Sequence, residues 1–286
     1  MTVREDILTT LPFRVDDRPS APSRGRVVLI GAGPGDPELI TVRGLRALQQ
    51  AEVLVYDRLV GPELIDEAPE WAEKIYVGKQ PGHHAMPQDD INALLVDRAR
   101  LGLTVVRLKG GDPFIFGRGG EEALACAEAD IPFEIVPGIS SSASVPSNAG
   151  IPLTHRGVAA SFAVMTAHRA LDLDAQNPAW EGFAKVDTLV ILMGVARLEA
   201  IVANLQHHGR DAATPVAIIE RGTLPDERIT VATLADIAPR ARALGVRSPA
   251  VIVVGEVVRL RDQLGQAVRQ VPLEAVPEAL LTVAAG

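Results

Sequence analysis

From Arg26 onward the chain repeats one alternation: short apolar runs rich in β-branched residues take turns with longer stretches in which apolar residues recur at helical spacing. The runs fall at residues 27–30, 53–56, 75–77, 105–108 and 133–136, with helical stretches beginning at Pro37, Gln88 and Gly120. Antiparallel strands can be joined by a hairpin, whereas parallel strands need a long crossover, so strand–helix–strand alternation predicts a mostly parallel sheet with helices packed on it. Between Pro137 and Pro152 the run PGISSSASVPSNAGIP breaks this rhythm. A hinge is expected there, over residues 139–154. A second set of runs follows at 162–165, 189–193, 216–219, 229–231 and 251–254, with helical stretches at 198–207 and 234–244. Residues 227–233 alternate in the manner of an exposed antiparallel strand, so the second sheet should be mixed. The expected organisation is two α/β domains, 25–138 and 155–260, with a flexible leader over 1–24 and a tail over 261–286.

Composition narrows the function. The 286 residues are 47% hydrophobic, ample for two cores, and no apolar run is long enough to span a bilayer as a helix. A net charge of -8 argues against a nucleic-acid partner, because phosphate binding needs a concentrated basic surface. An anionic ligand would need a local basic pocket instead. Cys126 is the only cysteine, which excludes an intrachain disulfide and suits the cytoplasm. The start, MTVREDILTT, has no apolar core of a signal peptide.

The first strand runs into GAGPGDP at residues 31–37 and then a helical stretch, the context in which a turn lets backbone approach a ligand closely. Three readings stay open on these residues: a dinucleotide site, with Asp57 after the next strand as the ribose acid; a cofactor without phosphates; or a plain structural turn. Two residues weigh against the dinucleotide. The last glycine of Gly-x-Gly-x-x-Gly is replaced by Asp36, and Pro37 follows, so Asp36 reads as a helix cap. A carboxylate at that point repels a pyrophosphate, and a positively charged sulfonium tolerates it.

The strand at 105–108 ends in a second loop, KGGDPFIFGRGGEE, at 109–122. Together with GAGPGDP, VLVYDRLV (53–60), YVGK (76–79), VPG (136–138) and AGIPLTHR (149–156), this loop resembles the tetrapyrrole methylases. Within them it is similar to the branch that C-methylates uroporphyrinogen III. The resemblance spans residues 26–260 and implies a fold of two α/β domains with the active site in the cleft between them. It also implies S-adenosylmethionine as methyl donor, S-adenosylhomocysteine as its product, and a homodimer.

Carried over residue by residue, the resemblance places the cofactor against Pro34, Gly110, Gly111, Asp112, Ile115, Ser140, Ser141, Met193 and Gly222. The residue types are compatible with that. Gly110 and Gly111 leave backbone open to contact, while Ile115 and Met193 offer apolar, polarizable surface, although on residues alone both also read as ordinary core. The family's substrate carries acetate and propionate groups, for which an arginine fork is the matched partner. Arg58, Arg118 and Arg156 are the implied anchors, and Glu121, one turn beyond Arg118, can fix its guanidinium or accept from a pyrrole N–H. For the proton lost after methylation the resemblance offers Asp57 as acceptor and Lys79 as donor, or Arg118 as base. Asp57 is preferred, since a guanidinium is almost always protonated.

Two positions depart from the pattern. The resembled family usually carries Thr-Ala where this chain has Ser140-Ser141, and commonly Lys-Arg where it has Lys79-Gln80. Adjacent His83 and His84 lack a completing ligand set, so no metal is expected. The length leaves no room for the dehydrogenase and chelatase module that some homologues carry, so the expected end product is precorrin-2 or precorrin-1.

Overall fold

The computed structural model describes residues 25–78, 86–167 and 177–264, and it contains two five-stranded sheets. In the first, β1 (Arg26–Gly31), β2 (Val53–Tyr56), β3 (Glu73–Tyr76), β4 (Thr104–Lys109) and β5 (Phe133–Val136) lie in the order β3-β2-β4-β1-β5. Every pairing is parallel. Its helices are α1 (Val42–Leu48), α2 (Pro62–Asp66), α3 (Gln88–Arg100) and α4 (Gly119–Glu128). One face buries Val27, Leu29, Val53, Val55 and Val105 against Ile91, Leu95 and Ala99 of α3 and Ala123 and Cys126 of α4. The other buries Val28, Ile30, Leu54, Val106 and Leu108 against Leu48 and Leu64. With both faces covered, the strands read in sequence as continuous apolar runs rather than alternations.

The helix expected from Pro37 is broken in two. Asp36 caps a single 3-10 turn, Pro37–Leu39, by accepting from the Glu38 N–H at 2.9 Å. Ile40 and Thr41 then return to extended backbone, and Thr41 caps α1 by accepting from the Gly44 N–H at 3.1 Å. Two caps in succession satisfy two sets of orphan donors, so the helix restarts rather than continues. The close approach of helix to strand falls at Gly44, where a Cβ would lie 3.0 Å from Ile30.

The segment expected as a hinge is in large part α5 (Ser141–Asn148), capped by the Ser140 hydroxyl. Val145, Ala149 and Ile151 belong to the core of the second sheet, packed with Val190, Ala217, Ile219, Val251 and Val253. Ser, Gly and Pro composition disguised this helix because its buried stripe is so short. Pro146 sits inside it with its carbonyl accepting from the Ile151 N–H at 2.8 Å.

The second sheet has β6 (Phe162–Thr166), β7 (Thr188–Leu192), β8 (Pro215–Glu220), β9 (Arg228–Thr233) and β10 (Ala250–Val254) in the order β6-β7-β10-β8-β9. Only β6 and β7 pair in parallel, so the sheet is mixed, with β9 the alternating antiparallel edge. Its other face packs Trp180 of α6 (Ala179–Lys185), Ile201 and Leu205 of α7 (Leu198–His207) and Ile237 of α8 (Ile237–Ala243). The expected leader lies outside the described residues, and of the expected tail only α9 (Arg261–Leu264) lies within them. No helix among the described residues is long and apolar enough to cross a membrane.

Candidate active site

In an open parallel sheet, ligands bind beyond the carboxyl ends of the strands where the outgoing connections diverge. Here the chain leaves β1 toward β2 on one side and leaves β4 toward β5 on the other, and β1 and β4 are neighbours. The two glycine loops therefore emerge side by side. Their backbones pair directly: the Gly111 N–H donates to the Gly33 carbonyl at 2.6 Å, and the Gly33 N–H to the Gly111 carbonyl at 3.3 Å. A third segment, after β5, closes on them. A Cβ on Gly138 would lie 2.3 Å from the Gly111 oxygen and 2.5 Å from the Gly31 Cα, so only glycine permits this crossing.

Asp112 fixes the second loop with both oxygens, accepting from the Phe114 N–H at 2.8 Å and the Gly138 N–H at 3.1 Å. The second sheet reaches the first loop through Thr223, whose Oγ1 accepts from the Asp36 N–H at 3.1 Å. Glu227 holds Thr223 in turn, accepting from its N–H at 2.9 Å and from Asn148 Nδ2 at 3.0 Å. Gly222 is buried, with Val145 of α5 filling the space where its Cβ would be, at 2.3 Å.

These bonds answer the dinucleotide reading. The N–H groups of Gly33, Asp36 and Glu38, which would cradle a diphosphate, are already given to Gly111, Thr223 and Asp36. A three-residue turn capped by a carboxylate also supplies no helix dipole for an anion.

Backbone strain collects in the loops that follow the carboxyl ends of strands. Of the six non-glycine residues with positive φ among the described residues, Phe116, Arg118, Met193, Arg221 and Thr223 follow the carboxyl ends of β4, β7 and β8. Each such residue costs on the order of 1–3 kcal/mol unless its surroundings enforce it, and such strain gathers at ligand sites. Ile115 and Met193 are exposed, at 44% and 45%, so neither is a core residue. Pro34, Gly110, Ser140 and Ser141 are partly exposed, and a Cβ on Gly110 would meet Leu59 at 2.7 Å.

The charged residues divide into an open pair and a buried cluster. Arg118, the residue before α4, makes a two-armed bond to Glu121, Nε to Oε1 at 2.8 Å and Nη2 to Oε2 at 2.6 Å. That bond raises the Arg118 pKa above its ordinary value, which works against any role as base. Arg58 and Arg156 are exposed, the latter in the turn bridged by His155 and Ala159. Asp57 follows β2, partly exposed, with Oδ1 accepting from the Leu59 N–H at 3.1 Å and Oδ2 from Arg107 Nη2 at 3.3 Å. Lys79, like His83 and His84, lies outside the described residues.

Sequence reasoning missed Arg107, Lys109 and Glu122. All three are buried, and Glu122 Oε1 accepts from Arg107 Nε at 3.1 Å, Lys109 Nζ at 2.8 Å and Gln88 Nε2 at 3.3 Å. Burial foremost, then the neighbouring Arg107, lowers the Lys109 pKa, while Glu122 and Asp57 hold it up. The signal was legible: TVVRLK sets two cations on one face of an interior parallel strand, where charges occur only in pairs.

A family model described as Tetrapyrrole (Corrin/Porphyrin) Methylases matches residues 26–238. The chain belongs to the tetrapyrrole methylases. It is 52% identical over 239 residues to the uroporphyrinogen-III C-methyltransferase of Methanocaldococcus jannaschii, covering 83% of this chain and 98% of that protein. A siroheme synthase of Thiobacillus denitrificans is 48% identical over 269 residues, which is 91% of this chain but 56% of that protein. The chain thus spans about half the length of that larger relative. Among solved structures, uroporphyrin-III C-methyl transferase from Thermus thermophilus, complexed with S-adenyl homocysteine, superposes with a TM-score of 0.70 at 44% identity, covering 82% of this chain and all of that one. Tetrapyrrole methylases thus share the two-sheet architecture found here.

Proposed function

We propose that this tetrapyrrole methylase transfers methyl groups from S-adenosylmethionine to two carbons of uroporphyrinogen III, giving precorrin-2 by way of precorrin-1. The product would feed sirohaem, cobalamin or haem d1 synthesis. The observation that carries the proposal is that the N–H groups of Gly33, Asp36 and Glu38 in and just after the first glycine loop are already bonded, which suits a cofactor without phosphates. The residues present fit such a donor: glycine backbone at 110 and 111, exposed apolar Ile115 and Met193, and the Ser140–Ser141 turn at the start of α5.

When bound, S-adenosylmethionine supplies a methyl group on a sulfonium that departs as the neutral thioether of S-adenosylhomocysteine. The protein's work is alignment. Fixing both reactants at near-attack distance can remove on the order of 7 kcal/mol of barrier. Pro34, the Asp112 loop and Gly222 are assigned to the cofactor, with Arg58, Arg118 and Arg156 pairing with substrate carboxylates. Glu121 holds the Arg118 fork in one plane, which readies it for a second carboxylate at little entropic cost. Asp57 is assigned as acceptor of the proton that leaves the macrocycle, and Lys79 as donor. The lone, buried Cys126 suits a reducing compartment, and a cytoplasmic homodimer is part of the proposal.

Incubation with uroporphyrinogen III and methyl-labelled S-adenosylmethionine should give a product carrying two labels. Binding of NAD in preference to S-adenosylhomocysteine would refute the cofactor assignment. Asp57→Asn should lose most turnover while still binding substrate. The acceptor assignment fails if Asp57→Asn turns over at the full rate while Arg118→Lys loses turnover without weakening substrate binding.

A further inference from the structure

On the α3 and α4 face of the first sheet, β4 presents Val105, Arg107 and Lys109 in succession, so its apolar stripe ends in charge at the carboxyl edge. The Arg107 side chain is 4% exposed. Burial at that level is tolerated only where the donors are satisfied. Nη1 donates to the carbonyls of Leu108 at 3.1 Å and Val55 at 3.5 Å, and Nε donates to Glu122. These bonds reach β4, β2 and α4, three elements of one rigid core. The remaining arm, Nη2, reaches out to Asp57.

Asp57 is thereby held from two directions, by the Leu59 N–H behind its own turn and by Arg107 from beneath. Glu122 fixes Arg107, and Lys109 and Gln88 fix Glu122. Two cations face two carboxylates, Asp57 being the one in contact with solvent. We propose that Arg107, clamped by Glu122, is a positioning residue that sets the orientation of the Asp57 carboxylate toward the reacting macrocycle. The proposal rests on Asp57 as proton acceptor. Arg107 and Glu122 are both buried, and of the groups they hold Asp57 is the one that meets solvent, so the proposed effect on the chemistry passes through Asp57.

The test is a mutant cycle on the full chain. Arg107→Lys keeps the charge and loses the planar fork whose Nε and Nη2 hold Glu122 and Asp57 at a fixed spacing. It should lower kcat about ten- to a hundredfold, with KM for uroporphyrinogen III and Kd for S-adenosylhomocysteine within about twofold. In the Asp57→Asn background the same change should cost almost nothing further, since the group it positions is gone. Independent, multiplicative losses overturn the proposal, as does a loss confined to KM. Should Arg107→Lys not fold, Glu122→Asp withdraws the clamp by one methylene with every charge kept. It should show the same kcat-only loss, and full activity there overturns the proposal. Wild-type turnover by Asp57→Asn would instead sink the acceptor assignment itself, a distinguishable result.

Discussion

Glu122→Gln changes one atom and removes the charge that two buried cations share. The side chain is fully buried, with Lys109 Nζ 2.8 Å and Arg107 Nε 3.1 Å from the same oxygen. Glutamine keeps an acceptor there, so packing survives and the loss is electrostatic. Breaking a buried pair by removing one partner costs about 3–5 kcal/mol, because an uncompensated charge stays behind. For a protein of this size that is a fall of roughly 6–20 °C in Tm. The penalty should depend on pH with a definite sign. The Lys109 pKa is already lowered from 10.5 by burial and by Arg107, and the Glu122 carboxylate is the larger influence opposing that. Between the lowered folded value and the unfolded value the unfolded chain binds more protons, so stability rises with pH. Removing Glu122 moves the folded value further down and opens this window at lower pH. The Tm deficit of Glu122→Gln should therefore be greatest near neutrality and shrink as pH rises toward 10. Differential scanning calorimetry of both proteins across that range is the assay. A deficit under about 2 °C, or one that stays flat with pH, would refute the idea that the cluster is held by charge.

Gly138→Ala should destabilise by about 1–3 kcal/mol or more, since backbone on two sides blocks its methyl group, and should weaken S-adenosylhomocysteine binding measured by calorimetry. Thr223→Val keeps the side-chain shape but removes the acceptor for the Asp36 N–H, costing about 0.5–1.5 kcal/mol. Its effect should fall on the cofactor Kd more than on KM for the macrocycle, and an unchanged Kd would separate this bond from the site. Burial, with a smaller push from Glu122, raises the Cys126 thiol to about 11, so native protein should resist iodoacetamide at pH 8 and react once unfolded.

The residues of the two glycine loops announced themselves in sequence because glycine at such density is costly unless backbone must approach something closely. What they approach was not legible. Gly111 pairs with Gly33 and is crossed by Gly138, and the pairing of loops 78 residues apart in sequence depends on β1 and β4 lying side by side. Arg118 with Glu121 was readable as a local pair, three residues apart at a helix start. Arg107 was not readable as Asp57's partner, because 50 residues separate them and only the β2–β4 register brings them together.

Sequence alone therefore determined the alternation of strands and helices, the parallel character of the first sheet and the mixed character of the second, since periodicity and crossover length are local properties. Tertiary structure alone decided strand order, the helix hidden in the Ser-Pro-Gly stretch, and the partners of each charge. Those depend on which distant segments share a face, and the free energy that selects them comes from burying that face rather than from any single residue's preference.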